Sequence, residues 1–304
     1  DIMRNIAAPY QPERRDQPVG QGYWMQAEFG SVKSHLLSFL GALALGDGET
    51  WESIKQMEEK QEIGRRDSLY TFYDNGLKQK NESGKGILVA VKTLVGYGGG
   101  AVGIDSDDKT SIGNYVLDAV ADQFFKENGF SLPLYPAEIL AKRFLENELE
   151  IYQGRLQGFL KDPKFFDDEQ QQELGNFLQK LRQPDSPAML RDCGRILWDF
   201  YASQGIKPTI PMEMEDVLKN KVREVVNAGY QGVLLILDEV SLYMMNRSAE
   251  KQAEDEKVLA VLSNRLAKVE NLPIWTVCAA QQQHNLVGTI NIFARERLDV
   301  VPLL

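Results

Sequence analysis

The sequence predicts an α/β fold built on a parallel sheet, with a large helical insertion between two of its strands. Residues 87–95, 232–237 and 272–280 are continuous apolar runs, which are typical of strands that are buried on both faces. Stretches with helical periodicity lie between these runs. This alternation of strands and helices favours a parallel sheet over an antiparallel one.

The remaining elements follow from periodicity, capping residues and breaks. A short run dense in aromatic residues, 22–26, predicts the first strand after an irregular lead-in over 1–21, and a leucine- and alanine-rich helix follows at 34–45. The other expectations, in chain order, are a helix at 51–73 with a break near Gly64, turns at 75–86, a glycine-rich loop at 96–103, helices at 111–128, 136–160, 167–182, 188–204, 211–228, 249–270 and 285–295, and a last strand at 298–304.

The helices between the second and third strands predict a separate subdomain. Prolines at positions 163, 184, 187, 208 and 211 divide residues 136–228 into about four helical segments. The expected organisation is therefore a first part of the core at 1–135, a helical insertion at 136–228 and a second part of the core at 229–304.

Composition narrows the class of protein. The 304 residues carry a net charge of −10 and are 43% hydrophobic, which is normal for a globular domain and argues against nonspecific DNA binding through a basic surface. The longest apolar run, 86–96, is interrupted by Lys92, so no membrane span is expected. The two cysteines are far apart in the sequence, which argues against a disulfide framework and favours a cytoplasmic location. With only two histidines besides, the sequence also has no zinc-binding spacing. A chain that starts at Asp1 and stops within an apolar run is expected to be a piece of a longer protein.

A phosphate-binding loop is predicted between the first strand and the helix at 34–45. The pattern G-x-x-x-x-G-K-[ST] in this strand–loop–helix context surrounds nucleotide phosphates, with the lysine on the β and γ phosphates and the hydroxyl on Mg²⁺. The nucleotide-binding residues expected from this alignment are Ala27, Glu28, Phe29, Gly30, Ser31, Val32, Lys33, Ser34 and His35.

Two positions depart from that pattern. Ala27 replaces the first glycine, which is a mild change, whereas Val32 replaces the glycine directly before the lysine. Glycine allows the backbone to bend tightly and to approach the phosphates, and a β-branched residue there costs about 1–3 kcal/mol in backbone strain. Val32, whether natural or introduced, therefore opposes nucleotide binding, and an ordinary strand–turn–helix remains the alternative interpretation.

Two adjacent carboxylates end the apolar strand at 232–237. Asp238 is expected to hold Mg²⁺ together with Ser34, and Glu239 to act as general base on the attacking water. The alternative is a pair of solvated carboxylates at a strand–loop junction. The phosphate loop and the acidic strand end occur together in the right order, which favours a nucleotide site at the carboxyl edge of the sheet.

Polar residues near the last two strands complete the expected site. Gln281, with Gln282 as second choice, follows the strand at 272–280 and is expected to contact the attacking water or the γ-phosphate. Arg295 and Arg297 are candidates for an arginine finger directed at a neighbouring subunit in a homo-oligomer, ahead of Arg265. A polar loop and surface salt bridges are the respective alternatives.

The loop, the acidic strand end and the Arg295–Val301 stretch together resemble a known family. Residues 28–37 (EFGSVKSHLL) are similar to the phosphate loop of the BrxC/PglY ATPases of bacteriophage-exclusion (BREX) defence systems and to related ATPases of the AAA+/ORC-like branch. The resemblance implies an AAA+-like P-loop NTPase fold and an ATP-hydrolysing N-terminal module. It also implies that the module acts beside other defence-system proteins, a DNA methylase among them.

Two functions follow as expectations. The first is an ATPase module that uses ATP and Mg²⁺ and couples binding or hydrolysis to partners or DNA. The second is a catalytically silent scaffold for protein assembly, in which Val32 has closed the pocket. The sequence leaves the choice between ATP and GTP, and the oligomeric state, open.

Overall fold

A computed structural model describes residues 2–10, 19–27, 33–94, 111–133, 135–206, 208, 212–245, 247–281 and 299–302. The chain divides into two compact units. Residues 1–132 and 222–304 form the sheet unit, and residues 133–221 form the helical unit. The predicted boundaries of the insertion were 136 and 228; the second boundary instead falls inside the helix Met214–Asn227.

The sheet is parallel throughout, as the alternation of apolar runs and helices predicted. Its strands are β1 (Gln21–Ala27), β2 (Ile87–Thr93), β3 (Gly232–Asp238), β4 (Ile274–Gln281) and the short β5 (Asp299–Pro302). Their order across the sheet is β2-β3-β4-β1-β5, and every pair runs parallel. Because all strands point the same way, the carboxyl ends of β1, β3 and β4 lie at one edge of the sheet.

Helices make up most of the remaining structure. In the described residues they are α1 (Ile2–Ala7), α2 (Lys33–Leu45), α3 (Gly48–Lys60), α4 (Leu69–Phe72), α5 (Lys78–Ser83), α6 (Ile112–Asn128), α7 (Ala137–Arg143), α8 (Leu149–Leu160), α9 (Asp168–Glu173), α10 (Phe177–Arg182), α11 (Pro187–Ser203), α12 (Met214–Asn227), α13 (Val240–Met245) and α14 (Ala249–Ala260). Short π-helical stretches at Tyr73–Leu77, Phe144–Glu148 and Val261–Val269 continue α4, α7 and α14.

The central strands are buried on both faces. Tyr23, Trp24 and Met25 of β1 are successive residues, so they point to opposite faces, yet each is no more than 2% exposed. On one face Tyr23 and Met25 pack with α1, α2 and α3 in a single apolar core. The burial of Trp24 shows that the other face is covered too, which is the reason that these strands lack a polar alternation.

The helical unit has a core of its own. Its buried side chains come from α7, the π-helical stretch after it, α8, α10 and α11, and they include Phe144, Phe177 and Phe200. Helices α7 and α11 approach closely at Gly194, where a Cβ atom would lie 1.9 Å from the Ala137 carbonyl oxygen. Only glycine fits there, because a methyl group would collide with backbone that cannot move aside.

Two local expectations were wrong. The lead-in at 1–21 is not irregular throughout, because α1 buries Ile2, Met3 and Ile6 against the core of the sheet unit. Residues 75–86 were expected to form turns, but residues through Ser83 are helical. Tertiary packing of Tyr73 and Leu77 overrides the low helix propensity of Asn75 and Gly76.

The described residues also bear on the membrane question. Among them, no helix combines the length and the apolar character required to cross a lipid bilayer.

Candidate functional site

The first half of the site lies at the start of α2. Strand β1 ends at Ala27, and α2 begins with Lys33 and Ser34. The first N–H groups of a helix have no partner within the helix and carry a partial positive charge, so this end of α2 favours an anion. Of the predicted phosphate loop, Glu28, Phe29, Gly30, Ser31 and Val32 lie outside the described residues. His35 is exposed on α2.

The second half lies at the end of β3. Asp238 is the last residue of that strand, and Glu239 follows it. The Lys33 Nζ atom lies 3.4 Å from Asp238 Oδ1 and 3.1 Å from Glu239 Oε1. The Ser34 hydroxyl donates to Asp238 Oδ2 at 3.4 Å. The pair Lys33 and Ser34 therefore meets the pair Asp238 and Glu239, about 200 positions later in the chain, as the two motifs predicted.

The charges at this point are largely withdrawn from water. The side chain of Lys33 is 8% exposed, and those of Asp238 and Glu239 are 14% and 21% exposed. An ammonium group buried to this extent needs an anionic partner, because transfer of an unpaired charge from water is costly. The two carboxylates supply that partner, and they retain enough exposure to accept another ligand.

The backbone of Glu239 is unusual. Its φ angle is 60°, in the left-handed region that residues other than glycine seldom adopt. Its N–H donates to Asp238 Oδ1 at 2.8 Å, which fixes the junction between β3 and α13. Strain of this kind costs about 1–3 kcal/mol and is concentrated at functional positions.

A cleft opens directly beside these residues. It has a volume of about 710 Å³, within the range of ligand-binding clefts. One face of α2 lines it, and Ser34, Asp238 and Glu239 lie at its polar end. The rest of the described lining is mainly aliphatic and includes Val91, which is 58% exposed.

Three polar residues of the cleft were missed by the sequence analysis, and one of them is Ser38 on α2. Thr93 ends β2 directly opposite Asp238 in the strand register, and Gln123 projects from α6. A signal for Thr93 existed, since it is the polar residue that closes the run 87–93 at the same edge as Asp238. Gln123 had no such signal, because a glutamine on a helix is unremarkable until its neighbours are known.

The residues present fit a magnesium ion that is shared with a nucleotide. The described residues contain no cluster of three or more histidine, cysteine, aspartate or glutamate side chains able to hold a metal ion alone. Mg²⁺ is usually held by one or two carboxylates together with substrate phosphates and water. The Ser34 hydroxyl and the Asp238 carboxylate supply oxygen ligands of that kind at one place.

The structure describes only some of the remaining predicted site residues. Gln281 does not follow β4 but is its last residue, and its backbone lies opposite Ala27 in register. Since β4 lies between β1 and β3, Gln281 lies between the two halves of the site along the sheet edge. Gln282, Arg295 and Arg297 lie outside the described residues. Arg265 forms an ion pair with Glu270 at 3.7 Å.

Comparisons with protein-family models, with curated proteins and with solved structures find no match to this chain. The arguments about function therefore rest on the sequence and on the geometry of the site.

Proposed function

We propose that this chain is a P-loop ATPase module of the AAA+ type that binds ATP with Mg²⁺. The observation that carries the proposal is the convergence of Lys33 and Ser34 with Asp238 and Glu239, at contact distances of 3.1–3.4 Å. Strand β4 separates the strand that leads to the lysine from the strand that ends in the carboxylates.

Each residue has a role in this proposal. Lys33 would neutralise the β and γ phosphates, assisted by the N-terminal N–H groups of α2. Ser34 and Asp238 would hold Mg²⁺, which supplies charge neutralisation on the phosphate oxygens when it is bound. Glu239 would accept a proton from the water that attacks the γ-phosphate.

Residues beyond these four are proposed on the sequence alone. Gln281 would orient the attacking water from the neighbouring strand. Arg295 and Arg297 would act toward a second subunit in an oligomer. On the resemblance to BREX ATPases, ATP binding or hydrolysis would change the conformation of this chain. Other defence-system proteins, and DNA through them, would respond to that change.

Val32 favours a second candidate function. A β-branched residue before the lysine opposes the tight bend that phosphate binding needs, so the fold would act as a scaffold for assembly without hydrolysis. The four charged and polar residues of the site retain contacts that a scaffold does not require, and this favours the ATPase.

Calorimetric titration with ATP and Mg²⁺ separates the two. The titration uses the chain as it stands, the variant Val32→Gly, and Lys33→Met in the same background as the matched control. Binding by the unaltered chain that Lys33→Met abolishes supports a working nucleotide site. Binding only after Val32→Gly supports a pocket silenced at one residue and therefore the scaffold. Absence of binding in both backgrounds refutes the nucleotide site. Parallel titration with GTP establishes the base preference.

A further inference from the structure

We propose that Lys33, Asp238 and Glu239 form an ion-pair latch in the nucleotide-free protein, and that a phosphate group must break the contact between Lys33 and Glu239 in order to bind. This inference rests on the proposed function and concerns how the same site is regulated. It is carried by the distances at the junction of α2 and β3, by the burial of Lys33 and by the backbone of Glu239.

The first step concerns the ammonium group. Lys33 has only donors and is almost fully buried, so its three N–H groups must find acceptors within the site. Glu239 Oε1 accepts from one of them at 3.1 Å, and Asp238 Oδ1 lies within ion-pair distance at 3.4 Å. A phosphate that approaches this position meets an ammonium group already engaged by both carboxylates, and it competes with them for that group.

The second step concerns the carboxylate of Glu239. A general base needs an oxygen lone pair directed at the water that it deprotonates. In the latched state one carboxylate oxygen accepts from Lys33 instead. The same contact thus engages both the group that would bind phosphate and one oxygen of the group that would activate water.

The third step concerns how Glu239 is held in position. Its backbone is left-handed, and its N–H donates to Asp238 Oδ1. These two features fix the position of the backbone from which the side chain extends. Asp238 also accepts from Ser34 through Oδ2. Lys33, Ser34, Asp238 and Glu239 are therefore linked, and displacement of Lys33 from Glu239 changes the partners of the whole group.

A test follows from competition. Without metal, a phosphate and Glu239 compete directly for Lys33. The variant Glu239→Gln keeps the shape but replaces a charge-assisted contact by a weaker neutral one. We expect Glu239→Gln to bind metal-free ATP, measured in EDTA, about tenfold more tightly than the parent. The parent is whichever of the unaltered chain and Val32→Gly binds ATP with Mg²⁺.

A matched control removes one carboxylate elsewhere. Glu52 on α3 forms an exposed ion pair with Lys55 at 3.7 Å, so Glu52→Gln changes net charge equally without contact with the site. We expect its affinity for metal-free ATP to equal that of the parent. An equal gain in both variants would overturn the latch, because net charge alone would then explain the effect.

Salt distinguishes a direct contact from the electrostatic field of a nearby charge. At about 0.5 M KCl, interactions between exposed charges are largely screened, whereas a buried pair is screened much less. The latch requires that the gain in Glu239→Gln persist at this salt concentration. The latch is overturned if the gain in affinity disappears at high salt. It is also overturned if Glu239→Gln shows no gain at any salt concentration while ATP with Mg²⁺ still binds. Both outcomes leave the proposed function intact. Failure of every variant to bind ATP with Mg²⁺ refutes the proposed function, and the latch with it.

Discussion

Two regions of the sheet unit bury a cation against carboxylates, and they differ in what surrounds the carboxylates. At the first, Lys33 contacts Asp238 and Glu239. At the second, Arg247 Nε lies 2.7 Å from Asp255 Oδ2, and Asp255 is completely buried. Asp255 Oδ1 accepts from the N–H of Ile112 at 2.8 Å, at the start of α6.

The difference separates a structural pair from a site. Both oxygens of Asp255 are engaged within the fold, and the pair joins the segment after β3 to α6 and α14. Burial raises the pKa of Asp255, while the Ile112 N–H and Arg247 oppose that rise. By contrast, Asp238 and Glu239 keep part of their surface exposed and face a cleft. Burial of charge alone therefore does not indicate a functional site, whereas burial of charge beside an open cleft favours one.

The largest effect is expected for hydrolysis. Glu239→Gln should lower the rate of ATP hydrolysis by about 10²- to 10⁴-fold, because the general base is lost. Steady-state phosphate release checks this in the background that binds ATP. Glu52→Gln, which removes the exposed carboxylate on α3, is the control. Hydrolysis by Glu239→Gln at the parent rate would remove Glu239 from the mechanism.

The next effect is on stability, at the structural pair. Asp255→Ala removes the carboxylate that pairs with the buried Arg247, and we expect the free energy of unfolding to fall by about 3–5 kcal/mol. Urea denaturation measures the loss. Glu52→Gln breaks an exposed pair and should change the free energy by no more than about 1 kcal/mol. Comparable losses in the two variants would contradict the contrast between buried and exposed pairs.

Removal of the lysine should affect binding more than stability. Lys33→Met retains the aliphatic stem, so we expect the affinity for ATP with Mg²⁺ to fall about 10- to 100-fold. Asp238 and Glu239 are partly exposed and can be hydrated, so the unfolding free energy should change by about 1 kcal/mol or less. Calorimetry and urea denaturation give the two quantities. A stability loss as large as that of Asp255→Ala would make this pair structural as well.

The smallest effect concerns a buried ionisable group that stays neutral. Burial raises the pKa of Cys278 on β4 from 9.0 to about 12. As the pH rises, the thiol of the unfolded chain ionises before the thiol of the folded protein. The contribution of the buried, neutral thiol to the free energy of unfolding is therefore complete below pH 9 and is lost as the pH rises toward 12, by about 1.4 kcal/mol per pH unit. Unfolding of the parent and of Cys278→Ala, compared between pH 8 and about 10.5, measures this. A difference independent of pH would show that the folded thiol ionises like a solvated one.

Local sequence predicted the elements that carry the site. The apolar runs of β2, β3 and β4 and the breaks after them required no tertiary information, because strands of a parallel sheet with covered faces are nearly continuous in apolar residues. The lysine and serine at the start of α2 and the carboxylates after β3 were found for the same reason, since the motifs depend on neighbours along the chain.

Other features could not be predicted from local sequence. The helical character of α1 and of residues 75–83 depends on packing against distant residues, which local propensity does not contain. The role of Asp255 depends on Ile112, which is 143 positions away. Thr93 and Gln123 line the cleft only because β2 pairs with β3 and α6 returns alongside.

The sequence by itself determined the α/β class, the parallel sheet and the identity of the four residues at its carboxyl edge. Only the tertiary structure decided that Lys33 contacts both carboxylates, that Glu239 takes a left-handed backbone and that a cleft opens beside them. The physical reason is that apolar periodicity and capping act over a few residues. Distances across the sheet edge depend instead on strand order, which is settled by how the whole unit packs.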